Sequence, residues 1–249
     1  MAITGTIVHL AGLTGVQGTS PGLHGYFARP DEAAAQGAQV RRPGVVMVHE
    51  AWGLDDVLKR QADHLAAMGY LVLAPDMFSA GGRARCLVPT FKALRSGRGR
   101  AFADLEASRI WLTEQPECTG KVGIIGFCMG GGFALMTAPR GFDVSAPFYG
   151  MLPPDPDDLL GTCPMVASYG GKDSGLRGAA GKLERVLTAM HVPHDVKEYP
   201  AAGHSFMNDA ENAPVALRPL TKVANIGPEP AAAADAWRRV EAFFAQHLA

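Results

Sequence analysis

Cys128 lies between glycines in the stretch Gly126-Phe127-Cys128-Met129-Gly130. Two later stretches carry the residue types that turn a thiol into a nucleophile. Asp173 closes Ser168-Tyr169-Gly170-Gly171-Lys172-Asp173, and His204 stands in Tyr199-Pro200-Ala201-Ala202-Gly203-His204-Ser205-Phe206. An imidazole can take a thiol proton, and a carboxylate can fix the imidazole tautomer and stabilise its cation. The chain order nucleophile, acid, histidine matches hydrolases built on a G-x-S-x-G turn, with cysteine here in place of serine. Taken singly, each residue has a plainer reading: a packed cysteine, a turn aspartate, a loop histidine. Taken together, in this order and each just past an apolar run, they predict a Cys128–Asp173–His204 triad. A dinucleotide fingerprint is not an alternative, since Gly126 and Gly130 do not fit G-x-G-x-x-G.

These residues need elements to hold them. Lys121 to Phe127 reads as a buried parallel strand, and the segment after Met129 as an apolar helix. Such a turn lifts the sulfur above the sheet at a helix N-terminus, where free amides favour a thiolate. Side chains at the flanking glycines would meet the strand and helix. Further apolar runs predict strands at 44–49, 70–74, 144–149, 164–169 and 194–199. Helices are expected from Asp55 or Asp56 to Met68, over 101–113, 176–190 and 231–248, with a short one around 90–94. Ile3–Leu10 and Leu23–Ala28 read as an antiparallel edge, and 31–42 as a loop. Strands alternating with helices predict an α/β fold: a doubly wound, mostly parallel sheet with the site at the strands' carboxyl ends. The 249 residues suit one domain, with 1–43 as edge strands and loop and 206–230 as an irregular, lid-like excursion.

Composition narrows the function classes. A net charge of −1 leaves no overall nucleic-acid footprint. No apolar run reaches a membrane span, and the first residues lack the basic and apolar regions of a signal peptide. Cys86, Cys118, Cys128 and Cys163 are widely spaced and suit neither a disulfide framework nor a zinc site. A cytoplasmic enzyme with reduced thiols, without metal or organic cofactor, is expected. Its partner is a small molecule, and the chain itself is expected as a monomer or homodimer. Among the other histidines, His191 and His194 suit a helix C-terminal charge role, His64 a helix surface, and His49 a pocket wall.

Five stretches together resemble the dienelactone hydrolase (carboxymethylenebutenolidase) family of the α/β-hydrolase fold. They are His49-Glu50-Ala51-Trp52-Gly53, Ala74-Pro75-Asp76-Met77-Phe78, the Cys128 turn, Gly170 to Asp173, and Ala202-Gly203-His204-Ser205-Phe206. The resemblance implies that Cys128, Asp173 and His204 are the triad. It also implies that Glu50 touches the resting cysteine and assists its ionisation, although a nearby anion also opposes a thiolate. The backbone amides of Ala51 and Met129 would form the oxyanion hole. Trp52, Phe78, Phe206 and Asn208 are expected at the substrate.

Family members that cleave dienelactone hold its carboxylate with two arginines, and the matching positions here are Ala80 and Asn208. Asparagine does not reproduce a bidentate guanidinium. Arg83, Arg85, Lys92, Arg95, Arg98 and Arg100 lie in a segment free of Asp and Glu. Arg83 or Arg85 could recognise an anionic substrate there, although a solvated cationic face is the favoured reading. The expected activity is dienelactone hydrolase-like: cysteine-dependent hydrolysis of a small ester or lactone through an acyl-thioester, without specificity for dienelactone. The alternative is a small-molecule binding protein on the same scaffold.

Overall fold

The computed structural model describes residues 2–31 and 40–249. The loop expected over 31–42 therefore lies largely outside the described residues. Among the described residues, eight strands form one sheet: β1 (Ile3–His9), β2 (His24–Pro30), β3 (Arg42–Val48), β4 (Leu71–Pro75), β5 (Cys118–Phe127), β6 (Val144–Phe148), β7 (Met165–Gly170) and β8 (His194–Tyr199). Their spatial order is β1-β2-β4-β3-β5-β6-β7-β8. The β1–β2 and β2–β4 pairs are antiparallel and the rest are parallel. The doubly wound α/β arrangement and the antiparallel edge both follow the apolar runs of the sequence.

The central strands are buried on both faces, as parallel strands require. Val46 and Val48 of β3 point into one core and Val45 and Met47 into the other, the two-residue period of a pleated strand. The first core is covered by α2 (Arg83–Ser96), α3 (Arg100–Thr113), α4 (Met129–Thr137) and α5 (Ala179–Ala189), through Leu94, Leu105, Phe133 and Leu183 among others. The second lies under α1 (Asp56–Ala67) and the closing helix α7 (Pro230–His247). Ala232, Ala236, Val240 and Phe244 of α7 recur every fourth residue and are buried. Full burial of a side chain such as Val240 or Phe244 stabilises the fold by about 1.5–3 kcal/mol.

Asp55 caps α1, its carboxylate accepting from the Leu58 amide at 2.9 Å. The helix α2 is much longer than the short segment expected around 90–94. Pro89 and scattered arginines mask its period in the sequence, while Cys86, Thr90, Ala93 and Leu94 form its buried side. The excursion over 206–230 holds a short 3-10 turn (Val215–Leu217) and the six-residue α6 (Arg218–Val223). It returns to the site, with the Gly227 amide donating to the His204 carbonyl and the Glu229 amide to that of Phe206. No helix among the described residues is long and apolar enough to cross a membrane.

Candidate active site

The carboxyl ends of β3, β5, β6, β7 and β8 converge on one rim. Cys128 follows β5 directly and is the N-cap of α4, with φ of 55° and ψ of −113°. A non-glycine residue rarely holds such a backbone, and it persists here because its surroundings fix it. The Cys128 amide donates to the Phe148 carbonyl at 3.1 Å, and its own carbonyl accepts from Gly132 at 3.1 Å. A side chain at Gly126 would strike the Gly130 backbone, and one at Gly130 would strike the Val48 carbonyl. Cys86, Cys118 and Cys163 are buried, whereas Cys128 is partly exposed. Burial pushes the Cys163 thiol up to about 12, which leaves it inert at neutral pH.

Asp173 stands three residues beyond β7 and His204 five beyond β8. Asp173 Oδ2 lies 2.5 Å from Nδ1 of His204, and its Oδ1 accepts from the Gly175 amide at 3.0 Å. The carboxylate is thereby held at both oxygens. Burial acts to lower the His204 pKa. Hydrogen bonds to Asp173 and Cys128, with the charges of both, outweigh it and raise the pKa from 6.5 to about 10. The structure thus brings the three predicted residues together, with the imidazole between acid and sulfur.

Glu50 differs from the expectation. Its hydrogen bonds run to amides rather than to the Cys128 sulfur. Oε2 accepts from Asn208 at 3.1 Å and from Asn212 at 3.0 Å. Asn212 also donates to Asp55 at 3.0 Å, so one amide ties the β3 loop to the cap of α1. Asn208 therefore serves Glu50 directly, at a position where the resemblance placed a substrate-binding arginine. Among the described residues, Glu50 Oε1 and the Tyr149 hydroxyl are buried without a hydrogen-bond partner. Burial, then the charges of Glu50 and Cys128, push the Tyr149 phenol well above its ordinary pKa.

Tyr149 was not anticipated as part of the site. Its ring lies 4.9 Å from that of His204, and its backbone has a positive φ of 39°. An apolar run ending in Tyr reads simply as a strand. Only the bend after β6, which aims the ring across the rim, gives it this place. Asn212 carries no motif, and Asp55 reads in the sequence only as a helix start, so their link to Glu50 is visible only in the structure.

The remaining predicted residues fall into two sets. The Met129 amide, in the first turn of α4, is one of the donors a helix leaves without an internal acceptor. Among the described residues, the Ala51 amide also has no acceptor. Trp52 is half-exposed and the Arg83 guanidinium lies 5.1 Å from its ring centre. Arg85 is exposed, its stem beside Gly81. Phe78 and Phe206, by contrast, are 2% and 0% exposed and support the site from behind. Phe206 packs against Tyr149 and Tyr199, with ring centres 5.3 and 5.2 Å away. His49 is wholly buried and is a strut rather than a pocket wall. Its Nε2 accepts from the Met77 amide at 3.1 Å, which leaves Nδ1–H to donate to the Glu50 carbonyl at 2.6 Å. His194 begins β8 and lies 3.4 Å from Glu184, so its charge partner is a side chain rather than a helix end.

Known proteins resemble this chain in sequence and in fold. A relative from Salmonella typhimurium, provisionally named a carboxymethylenebutenolidase, is 27% identical over 95% of this chain and 87% of its own length. A crystal structure from Klebsiella pneumoniae, provisionally described as a dienelactone hydrolase, superposes with a TM-score of 0.78 at 23% identity, over 99% of this chain and 100% of that one, and shows the common fold. The dienelactone hydrolase-like promiscuous phosphotriesterase P91, from metagenomic libraries, gives a TM-score of 0.76 at 26% identity, over 99% of each chain. The sequence pattern of the dienelactone hydrolase family matches residues 23–248. Nearly the whole sheet and every element of the rim lie within that match, and the chain belongs to the dienelactone hydrolase family, hydrolases that act on ester or lactone bonds.

Proposed function

We propose that this hydrolase uses Cys128 as its nucleophile and passes through an acyl-thioester. The observation that carries the reading is the placement of His204, bonded to Asp173 at 2.5 Å and close enough to Cys128 for the sulfur to act on the imidazole. Cys128 gives its proton to His204, and the sulfur attacks the ester or lactone carbonyl carbon. The carbonyl oxygen becomes an anion facing the Met129 and Ala51 amides, which supply fixed dipoles for it. As the tetrahedral species collapses, the carbon–oxygen bond breaks and the imidazolium protonates the departing alkoxide. His204, now neutral, takes a proton from water, and the resulting hydroxide attacks the thioester. The acid leaves and the thiol is restored. Asp173 keeps the imidazole in the tautomer that presents Nε2 to the sulfur.

Glu50 stays on its two asparagine amides through this cycle and acts as a fixed negative charge beside the site. With Ala80 and Asn208 at the family's arginine positions, dienelactone lacks its usual carboxylate clamp, and other small esters or lactones are the substrates. Turnover of p-nitrophenyl esters and simple lactones tests the reading. Cys128→Ala abolishes it while leaving the circular dichroism spectrum and melting temperature close to those of the parent. Full activity in that variant would refute the nucleophile.

A further inference from the structure

A cavity of about 390 Å³ opens between the C-terminal half of α2 and the first turn of α3. No residue of the triad lines it, and the reaction as described leaves it unused. Its volume lies at the lower end of the range for small-molecule pockets, about 300–1,000 Å³. The two helices are joined by Gly97-Arg98-Gly99 alone, a link kept tight by positive φ at both glycines, 65° and 120°. The whole turn reads Ser96-Gly97-Arg98-Gly99-Arg100.

Three kinds of donor converge on this space. The first turn of α3 has no side-chain cap and no acidic residue, and among the described residues the amides of Gly99, Arg100 and Ala101 have no acceptor. All three residues line the cavity, at a helix end whose partial positive charge favours an anion. Thr90 of α2 is 5% exposed, lines the same space and makes no hydrogen bond among the described residues. A hydroxyl so enclosed normally finds a partner, as Thr137 does on the Phe133 carbonyl at 2.7 Å. An orphan hydroxyl on a cavity wall points to a ligand, where an open helix end alone would not. Lys92, Arg98 and Arg100 supply the charge. They are exposed, line the cavity and form no ion pair among the described residues.

One carboxylate, Asp104, stands on the same wall. It is 1% exposed, and Ser20 occupies both its oxygens, donating its amide at 2.6 Å and its hydroxyl at 2.7 Å. Burial pushes its pKa up, against those two bonds and the Arg100 charge. Held in this way, it leaves the cations open to a ligand.

We propose that the α2–α3 cavity binds a phosphoryl group, as inorganic phosphate or as the phosphate of a small monoester. Its tetrahedral oxygens accept from the α3 amides, the Thr90 hydroxyl and the Arg98 and Arg100 guanidiniums together, whereas a planar carboxylate brings two oxygens to the same donors. The site is separate from substrate binding and reaches the rim through Met77. That residue lines the cavity, and its amide donates to Nε2 of His49, whose Nδ1–H donates to the Glu50 carbonyl.

Calorimetry at low ionic strength, with inorganic phosphate and with ribose 5-phosphate, tests the proposal. Saturable binding is expected in the parent and equally in Cys128→Ala, so the result does not depend on the hydrolase reading. The tighter of the two compounds identifies the source of the phosphoryl group. Arg98→Gln with Arg100→Gln weakens binding about tenfold or more, and Thr90→Val by about threefold or more. Thr90→Ser keeps the hydroxyl and the parent's affinity. Arg85→Gln with Arg95→Gln removes the same charge from α2 outside the cavity and leaves Kd within about twofold. No saturable binding of either compound overturns the proposal. So does an equal loss in the Arg85 and Arg95 variant, which would show attraction to a cationic helix, or a loss in Thr90→Ser as large as in Thr90→Val. Melting temperatures without phosphate, close to the parent's, show that the variants compared are folded.

Discussion

Nδ1 of His204 sits 2.5 Å from Oδ2 of Asp173, and this bond, with that of the Lys172 amide to the Ala202 carbonyl, joins the loops that leave two neighbouring parallel strands. The imidazole is held by that carboxylate and by the Tyr149 ring at 4.9 Å, while the Gly227 amide fixes the backbone of His204 through its carbonyl at 2.8 Å. What remains free is the edge turned to Cys128. Orientation of this kind is what converts a histidine into an effective proton carrier.

The pairing sets a pH dependence. The folded-state pKa of His204, about 10, lies above its ordinary 6.5. The histidine therefore contributes stability that is fully present below about pH 6.5 and is lost as pH rises through about 10. Ring resonances of His204 followed by NMR should titrate near the upper limit in the parent. They should move down in Cys128→Ala, which removes one of the bonds and charges that raise the pKa. In urea unfolding, His204→Gln should flatten the fall in stability between these two pH values.

Asp173→Asn keeps the size of the side chain and removes the charge and the acceptor pattern. The imidazole is then free to present the wrong tautomer to the sulfur. Loss of the orienting carboxylate costs about 10⁴-fold in kcat in a serine triad, and a fall of about 10³–10⁴-fold is expected here. The asparagine oxygen can still accept from the Gly175 amide, so a drop in melting temperature would report the lost charged bond to His204. Steady-state kinetics on a chromogenic ester, with a thermal melt of the same sample, checks both.

Asn212 reaches two carboxylates at once, Glu50 and Asp55, each at 3.0 Å. Asn212→Ala leaves a buried glutamate oxygen short of a donor and should cost about 1–3 kcal/mol in urea unfolding. Asn212→Asp sets a third carboxylate against the other two. Its destabilisation should be larger at pH 7 than at pH 4, where protonation relieves the repulsion. Equal effects of the two substitutions at both pH values would remove Asn212 from the carboxylate network.

Much of this rim was legible because a parallel sheet places its strand ends together. Cys128, Asp173 and His204 each lie just past an apolar run, and topology alone brings such residues to one edge. Glycines at 126 and 130 carried a local signal, since only a bare backbone passes so close to Gly130 and Val48. Other features depend on contacts that no spacing encodes. Tyr149 enters the site through a bend with φ of 39°, and Asn212 through a segment without period. Aromatic residues misled for the same reason. Phe78 and Phe206 adjoin motif residues in the chain, yet burial turned both into supports. The arginines of 83–100 separate only in three dimensions, where Arg83 alone of them stacks on Trp52.

The most direct test is intact-protein mass spectrometry of a single turnover. Enzyme is mixed with a p-nitrophenyl ester and quenched in acid within milliseconds, and the modified peptide is sequenced. The account predicts a transient mass gain equal to the acyl group, on Cys128, that decays as free acid appears and is absent in Cys128→Ala. Product release with no adduct on Cys128 at any time, or an adduct on another residue, would contradict it.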